Sequence, residues 1–160
     1  MVNQDNIKTI LKFMPQSQAQ CFIESLMGAE HEYYEDIADK LANVISSAPS
    51  IYETDGQGEE VKPVLHYFYG NVDIYVTEID KSGYNQHFGY TSLGLGYLEA
   101  GYIDLAPIFL QLPLLNLDLN FTPKTIAEYR KEYEATSLWA YKDNEHIYWV
   151  NSYNKKVCLS

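Results

Sequence analysis

Four histidines and a run of carboxylates carry whatever chemistry this chain could perform. The imidazoles are His31, His66, His87 and His146. His31 and Glu35 stand four residues apart, a spacing that puts both on one face of a helix and within reach of one cation. Catalytic zinc takes three protein ligands, and no third lies nearby in the sequence, so an ordinary exposed pair is expected, with no metal or cofactor site. His66 belongs to the run VLHYFYGNVDIYVTEID, in which Gly70-Asn71 separates two alternating halves. Glycine at the first central position fits a two-residue type II′ hairpin turn. That turn fixes the register: Tyr69 opposite Val72, Tyr67 opposite Ile74, His66 opposite Tyr75 and Leu65 opposite Val76. A cross-strand His–Tyr pair can do acid–base work, and Glu78 and Asp80 follow at the end of the second strand. His66, Tyr75, Glu78 and Asp80 are therefore the candidate residues for a small-ligand or catalytic site, although the pair also makes sense as plain sheet packing.

The motifs of common enzyme classes are missing. There is no H-E-x-x-H, no Walker A sequence and no G-x-S-x-G elbow, and Gly94 to Gly96 lacks the third glycine of a dinucleotide loop. The two cysteines, Cys21 and Cys158, lie far apart with no C-x-x-C, so neither a zinc site nor a disulfide framework is expected. The reading leans away from an enzyme, and no catalytic residue is assigned.

Charge is the stronger signal. The 160-residue chain has 22 Asp and Glu against 11 Lys and Arg, a formal net charge of −11. Such a field repels nucleic acid and anionic membranes, so no direct nucleic-acid or membrane partner is expected. Between Glu30 and Glu60 stand nine acids and one base, Lys40. A charge run is usually a solvated face; here it also offers an anionic docking surface made of Glu32, Glu35, Asp36, Asp39, Glu53, Asp55, Glu59 and Glu60. The loop TDGQGEE has turn composition but not the alternating acids of a calcium loop.

The elements that must position these groups follow from periodicity. Residues 3–48 read as three helices, the first capped by Asn3 or Asp5, the second opened by a Ser17/Gln20 capping box, the third starting near Glu30 and ending before Pro49. The hairpin puts Leu65, Tyr67, Tyr69, Val72, Ile74 and Val76 on a core face, with Glu78 following at its strand end and expected to reach water. Val64, His66, Phe68, Asp73, Tyr75 and Thr77 form a mixed face, solvated or lining a groove. HFGYTSL and GYIDL read as further strands, and Ala106 to Gln111 as a short helix. LLNLDLNF alternates as a strand with Leu115, Leu117, Leu119 and Phe121 inward and Asp118 toward solvent. Thr125 with Glu128 opens another helix, and the tail reads as a second hairpin around Lys142 to Glu145. The expected fold is α+β: one domain over 1–160 with an antiparallel sheet of four to six strands. N-terminal helices (1–48) pack on one face of a sheet core (49–123), followed by a helix near residues 125–135 and a hairpin (124–160). The N-terminus lacks a signal-peptide pattern and no apolar run is long enough to span a bilayer, so a cytoplasmic protein is expected.

Tyr52–Asp55, Tyr75–Asp80, Phe88–Tyr90, Glu99–Leu105 and Leu117–Ile126 reproduce a series of short motifs in order. They are an extended Y-x-T-D lead, a Y-V-T-E-x-D strand, an F-G-Y turn, an E-x-G-Y-I-D-L strand and L-D-L-x-F-x-P-K-T-I. In this the chain resembles the domain-of-unknown-function family 2958 over about residues 48 to 130. It departs from that family's usual pattern at Ile74, where an aromatic is common, and at Leu117. The resemblance brings no established activity. It implies a setting, the plasmids, conjugative elements and phages that carry such proteins, and hence an anti-defence inhibitor of anti-CRISPR or anti-restriction type that binds a host nucleic-acid-handling complex. The alternatives are a ligand-binding protein or enzyme using the hairpin's mixed face, and a structural module that joins copies of itself through its tyrosines, of which there are 15.

Overall fold

The computed structural model describes residues 3–94, 97–136, 138–142, 147–151 and 156–158, with side chains as far as residue 133. Three helices open the chain: α1 (Gln4–Leu11), α2 (Gln16–Leu26) and α3 (His31–Ser47). Asn3 caps α1 by accepting a hydrogen bond from the Asp5 amide at 2.9 Å. The Ser17 capping box does not form. Helix α2 begins at Gln16 behind Pro15, because proline's fixed φ starts the turn early. Ser17 is then already inside the helix, and its hydroxyl donates to the Pro113 carbonyl instead.

Five strands follow, β1 (Leu65–Tyr69), β2 (Val72–Glu78), β3 (Gln86–Leu93), β4 (Glu99–Asp104) and β5 (Asn116–Leu117), with α4 (Leu105–Gln111) between the last two. They form one antiparallel sheet in the order β4-β3-β2-β1-β5. The β1–β2 register is the expected one throughout, His66 facing Tyr75 and Leu65 facing Val76, and Gly70 takes the positive φ of 54° that the turn requires. The expected long strand at 114–121 is only two residues of pairing. Both outward backbone groups of Leu117 are taken by the Gln18 side chain of α2: the Leu117 amide donates to Oε1 at 2.7 Å and Nε2 donates to the Leu117 carbonyl at 2.8 Å. The sheet edge is thus closed by a side chain, one way of blunting an edge strand.

The N-terminal helices cover one face. Ile10, Phe22, Ile37, Ala38, Leu41 and Ile45 pack there with Leu65, Tyr67, Ile74, Val76, Ile103 and Leu117. Tyr67 is fully buried and its hydroxyl donates to the Phe13 carbonyl at 2.5 Å. Tyr69, also expected in the core, sits at the hairpin tip and is 44% exposed.

The other face, expected to be solvated or to line a groove, is covered too. Helix α5 (Ile126–Thr136) lies over it, and Ile126 and Tyr129 are buried against Tyr75, Val61 and Leu98. Thr125 and Glu128 do form a capping contact, the Glu128 amide donating to Thr125 Oγ1 at 3.2 Å. Beyond α5, β6 (Leu138–Lys142), β7 (Ile147–Asn151) and β8 (Lys156–Cys158) pair as a second antiparallel sheet. It contains the expected hairpin, whose turn lies outside the described residues, and adds a third strand. Among the described residues no helix is long and apolar enough to cross a membrane.

Candidate functional site

The four residues nominated on the hairpin separate into two clusters. One forms around His66, the other around Glu78 and Asp80.

His66 is held between two carboxylates. Its Nε2 lies 2.7 Å from Asp73 Oδ1 and its Nδ1 lies 3.3 Å from Asp118 Oδ2. The ring stacks on Tyr75, with centroids 4.7 Å apart and an 11° tilt, and meets Phe121 on another side at 5.4 Å. Asp73 is diagonal to His66 across the hairpin, a distance that a long side chain spans. Asp118 was expected to face solvent; it is half-buried because the chain turns after β5. That turn is closed by the Asn120 amide donating to Asp118 Oδ1 at 3.0 Å. The Tyr133 hydroxyl of α5 donates to the second oxygen of Asp73.

Burial by itself would raise the Asp73 carboxyl. The hydrogen bonds from His66 and Tyr133, together with the nearby imidazole, outweigh it and hold the group below the usual carboxylate range. Burial and the Asp73 charge push the Tyr75 phenol up, and burial with the Asp73 hydrogen bond does the same to Tyr133. Both phenols therefore stay protonated donors at neutral pH. Each nitrogen of His66 faces a carboxylate oxygen. This cluster ties β1, β2, the segment after β5 and α5 together. Its polar atoms are engaged with each other, and among the described residues no group of three acids, imidazoles or thiols is arranged to hold a metal ion.

Glu78 is not at a wet strand end. It is 3% exposed. The cause is a bulge: Val76 faces Gly89 and Glu78 faces Phe88, leaving Thr77 as an extra residue. The extra residue moves Glu78 off the helical face and returns Ile79 to it. The Glu78 carboxylate then accepts from the Tyr52 amide at 3.2 Å, the Thr54 amide at 2.9 Å and the Thr54 hydroxyl at 2.5 Å. Thus it pins the loop after α3. Tyr52 has φ of 72° there, a left-handed backbone that bulky residues rarely take. Its hydroxyl meets that of Tyr102 at 3.0 Å.

Asp80 also has a structural duty. It accepts from the Ser82 amide and hydroxyl at 2.8 and 2.5 Å and from the Gln86 amide at 3.1 Å, closing the β2–β3 connection. Those bonds hold the carboxyl below its ordinary range. Its backbone amide donates to Nδ1 of His87, at 3.1 Å. His87 is 3% exposed against Phe13, and burial holds its imidazole below the ordinary range, against the smaller pull of Asp80 and Asp104.

The acids between Glu30 and Glu60 do not make one surface. Glu32, Asp36 and Asp39 are exposed on the outer side of α3, and Glu35 is half-buried beside His31 at 3.5 Å. Asp36 shares a groove of about 360 Å³ with Tyr33, Lys40, Asn120 and Phe121, between α3 and the segment after β5. Glu53, Asp55 and Glu60 are exposed on the loop that follows α3. Glu59 is half-buried and engaged within the fold. It pairs with Arg130 of α5, Oε1 lying 2.6 Å from Nε and 2.5 Å from Nη2, on the sheet face opposite to α3.

Sequence reasoning missed Asp73 and Asp118 as partners of His66, and Tyr129 and Tyr133 as the cover. The signal for the cover was present: Ile126, Tyr129 and Tyr133 recur at helical spacing and match a face rich in aromatics. The chain matches no protein-family model, no curated protein and no solved structure.

Proposed function

We propose that this protein works by binding, with the acidic outer side of α3 as its contact surface and a basic protein surface as its target. One observation carries the reading. Among the described residues, no lysine or arginine lies within ion-pair distance of Glu32, Asp36 or Asp39, although all three are exposed. Several carboxylates elsewhere are used internally: Glu59 by Arg130, Glu78 and Asp80 by loop amides, Asp73 and Asp118 by His66. Glu32 and Asp36 are left for solvent or a partner, while Asp39 accepts from the Asn6 side-chain amide at 3.2 Å. A chain of net charge −11 offers to a basic surface the kind of field that a nucleic-acid backbone offers. The mobile-element setting rests on the resemblance to family 2958 alone, since no family model matches the chain. The fuller proposal is an inhibitor that occupies the nucleic-acid-binding surface of a host defence complex.

The test is affinity capture from the native host with the wild type and with a Glu32→Lys, Asp36→Lys, Asp39→Lys variant. All three positions are exposed, so the variant is expected to keep the wild-type circular dichroism. The expected result is capture of a protein with a strongly basic surface, weakened at least about tenfold by the substitutions, since charge steering and complementarity act at this scale. An unchanged set of captured proteins overturns the reading.

A further inference from the structure

The loop pinned by Glu78 builds a second feature. Three motif segments that are distant in sequence, Tyr52–Asp55, Tyr75–Asp80 and Glu99–Leu105, converge there. Tyr52 hydrogen-bonds Tyr102, and the amides of Tyr52 and Thr54 bond Glu78. The result is a notch of about 240 Å³ walled by Tyr52, Tyr84 and Tyr102, with Asp80, Ser82 and Gln86 along its polar side. The three tyrosines are 65%, 83% and 59% exposed. Exposed aromatics of this size in one place are unusual on a surface with no partner and typical of contact residues. Tyr52 keeps its place at the cost of a left-handed backbone, φ 72°, and a buried carboxylate committed to holding it. Strain of that kind persists where surrounding structure enforces it, and it clusters at ligand clamps.

The charge of the notch says what fits. Asp80 lies in its wall, with both oxygens accepting from the β2–β3 turn and lone pairs to spare. The charges of Glu78 and Asp55 bear on the Tyr102 phenol, which is raised chiefly by its bond to Tyr52. Asp104 is exposed opposite Gln86. The nearby cation, Lys81, is turned away: its ammonium donates to the Ser46 and Ala48 carbonyls at 3.2 and 2.6 Å, at the end of α3. Aromatic faces beside an ionised carboxylate, with no competing cation among the described residues directed into the space, suit a planar cation. A guanidinium stacks on tyrosine and forks onto a carboxylate, whereas an ammonium is a compact, strongly hydrated charge.

Resting on the reading that the protein binds a basic partner, we infer that the Tyr52–Tyr84–Tyr102 notch receives an arginine side chain of that partner, stacked on the tyrosines and paired with Asp80. The notch adjoins the C-terminal end of α3. Asp36 lies about 16–17 Å from that end, at Ser47, along the axis at 1.5 Å per residue.

The experiment titrates the full chain with a short peptide of alternating glycine and arginine, and with its lysine counterpart, by calorimetry. Two-dimensional NMR follows the signals of the loop and of α3. Tyr84→Ala and Tyr102→Ala remove exposed rings and leave the core intact, which circular dichroism checks. The expected result is tighter binding of the arginine peptide than of the lysine peptide, shifts at Tyr52 and its neighbours, and a loss of about three- to tenfold in affinity in each variant. Arginine-peptide affinity that stays within about twofold in both variants, while α3 signals still move, overturns the notch and leaves the acidic-surface reading standing. Binding of neither peptide overturns both.

Discussion

Replacing Gly89 by alanine is expected to cost about 3 kcal/mol of stability or more, the upper range for overpacking a fixed site. Gly89 faces Val76 in the β2–β3 ladder, beside the bulge at Thr77. A Cβ there would lie 1.9 Å from the Tyr75 carbonyl oxygen and 2.9 Å from its carbon. The obstacle is backbone, so no side chain can swing aside, and the strands must part or slip. A slip moves Tyr75, and with it the stacking of His66 and Tyr129. A loss of this size is a large part of the roughly 5–15 kcal/mol that holds a domain together. Gly101 supplies the control. It faces Gly89 in β4, and a Cβ at Gly101 would meet nothing within 4 Å. Gly101→Ala should therefore stay within about 0.5 kcal/mol of the wild type. Urea unfolding of the two variants checks the contrast, and equal midpoints would refute the register.

Glu78→Ala is the second large effect, expected at about 3 kcal/mol. Each hydrogen bond to a charged group contributes about 1.5–3 kcal/mol, and the two amides left behind lose their acceptor. Partial exposure of the Tyr52 loop lets water recover some of that, so the sum of three full bonds is not expected. The loss should be local before it is global. Hydrogen exchange at the Tyr52 and Thr54 amides is expected to rise by orders of magnitude while β1 and β2 amides near the hairpin stay protected. Glu78→Gln keeps an acceptor oxygen but turns an NH₂ toward donors, so its cost should fall between wild type and alanine. A variant as stable as wild type, with Thr54 still protected, would show that the carboxylate does not organise the loop.

These two residues also mark where sequence legibility ended. The β1–β2 register could be read because Gly70-Asn71 specifies one turn type and a period of two propagates it along both strands. The same alternation failed at Glu78. One bulge residue, Thr77, reverses every later side chain, and nothing in the composition of VTEID announces it. The helix at 126–136 was legible from Thr125 and Glu128, but its seat was not: periodicity tells which residues of a helix want cover, not which sheet face supplies it. The His66 cluster shows the same limit. His66 and Asp73 were placed on one face by register, whereas Asp118 reached it through a turn set by the local Asn120 contact. The Ser17 pattern failed for a local reason, the proline two residues earlier. Of the acidic stretch, exposure of the α3 carboxylates followed from the helical pattern. The diversion of Glu59 to Arg130 is a contact 71 residues away in sequence, beyond any local reading.

In the proposed mode of action, the α3 acids occupy a surface that otherwise holds nucleic acid. The most direct measurement is a competition on the captured partner, with labelled nucleic acid bound first and this protein added at rising concentration. Displacement to completion is predicted, because both ligands draw on the same cationic sites. A ternary complex, with nucleic acid retained while the protein is bound at saturation, would contradict it.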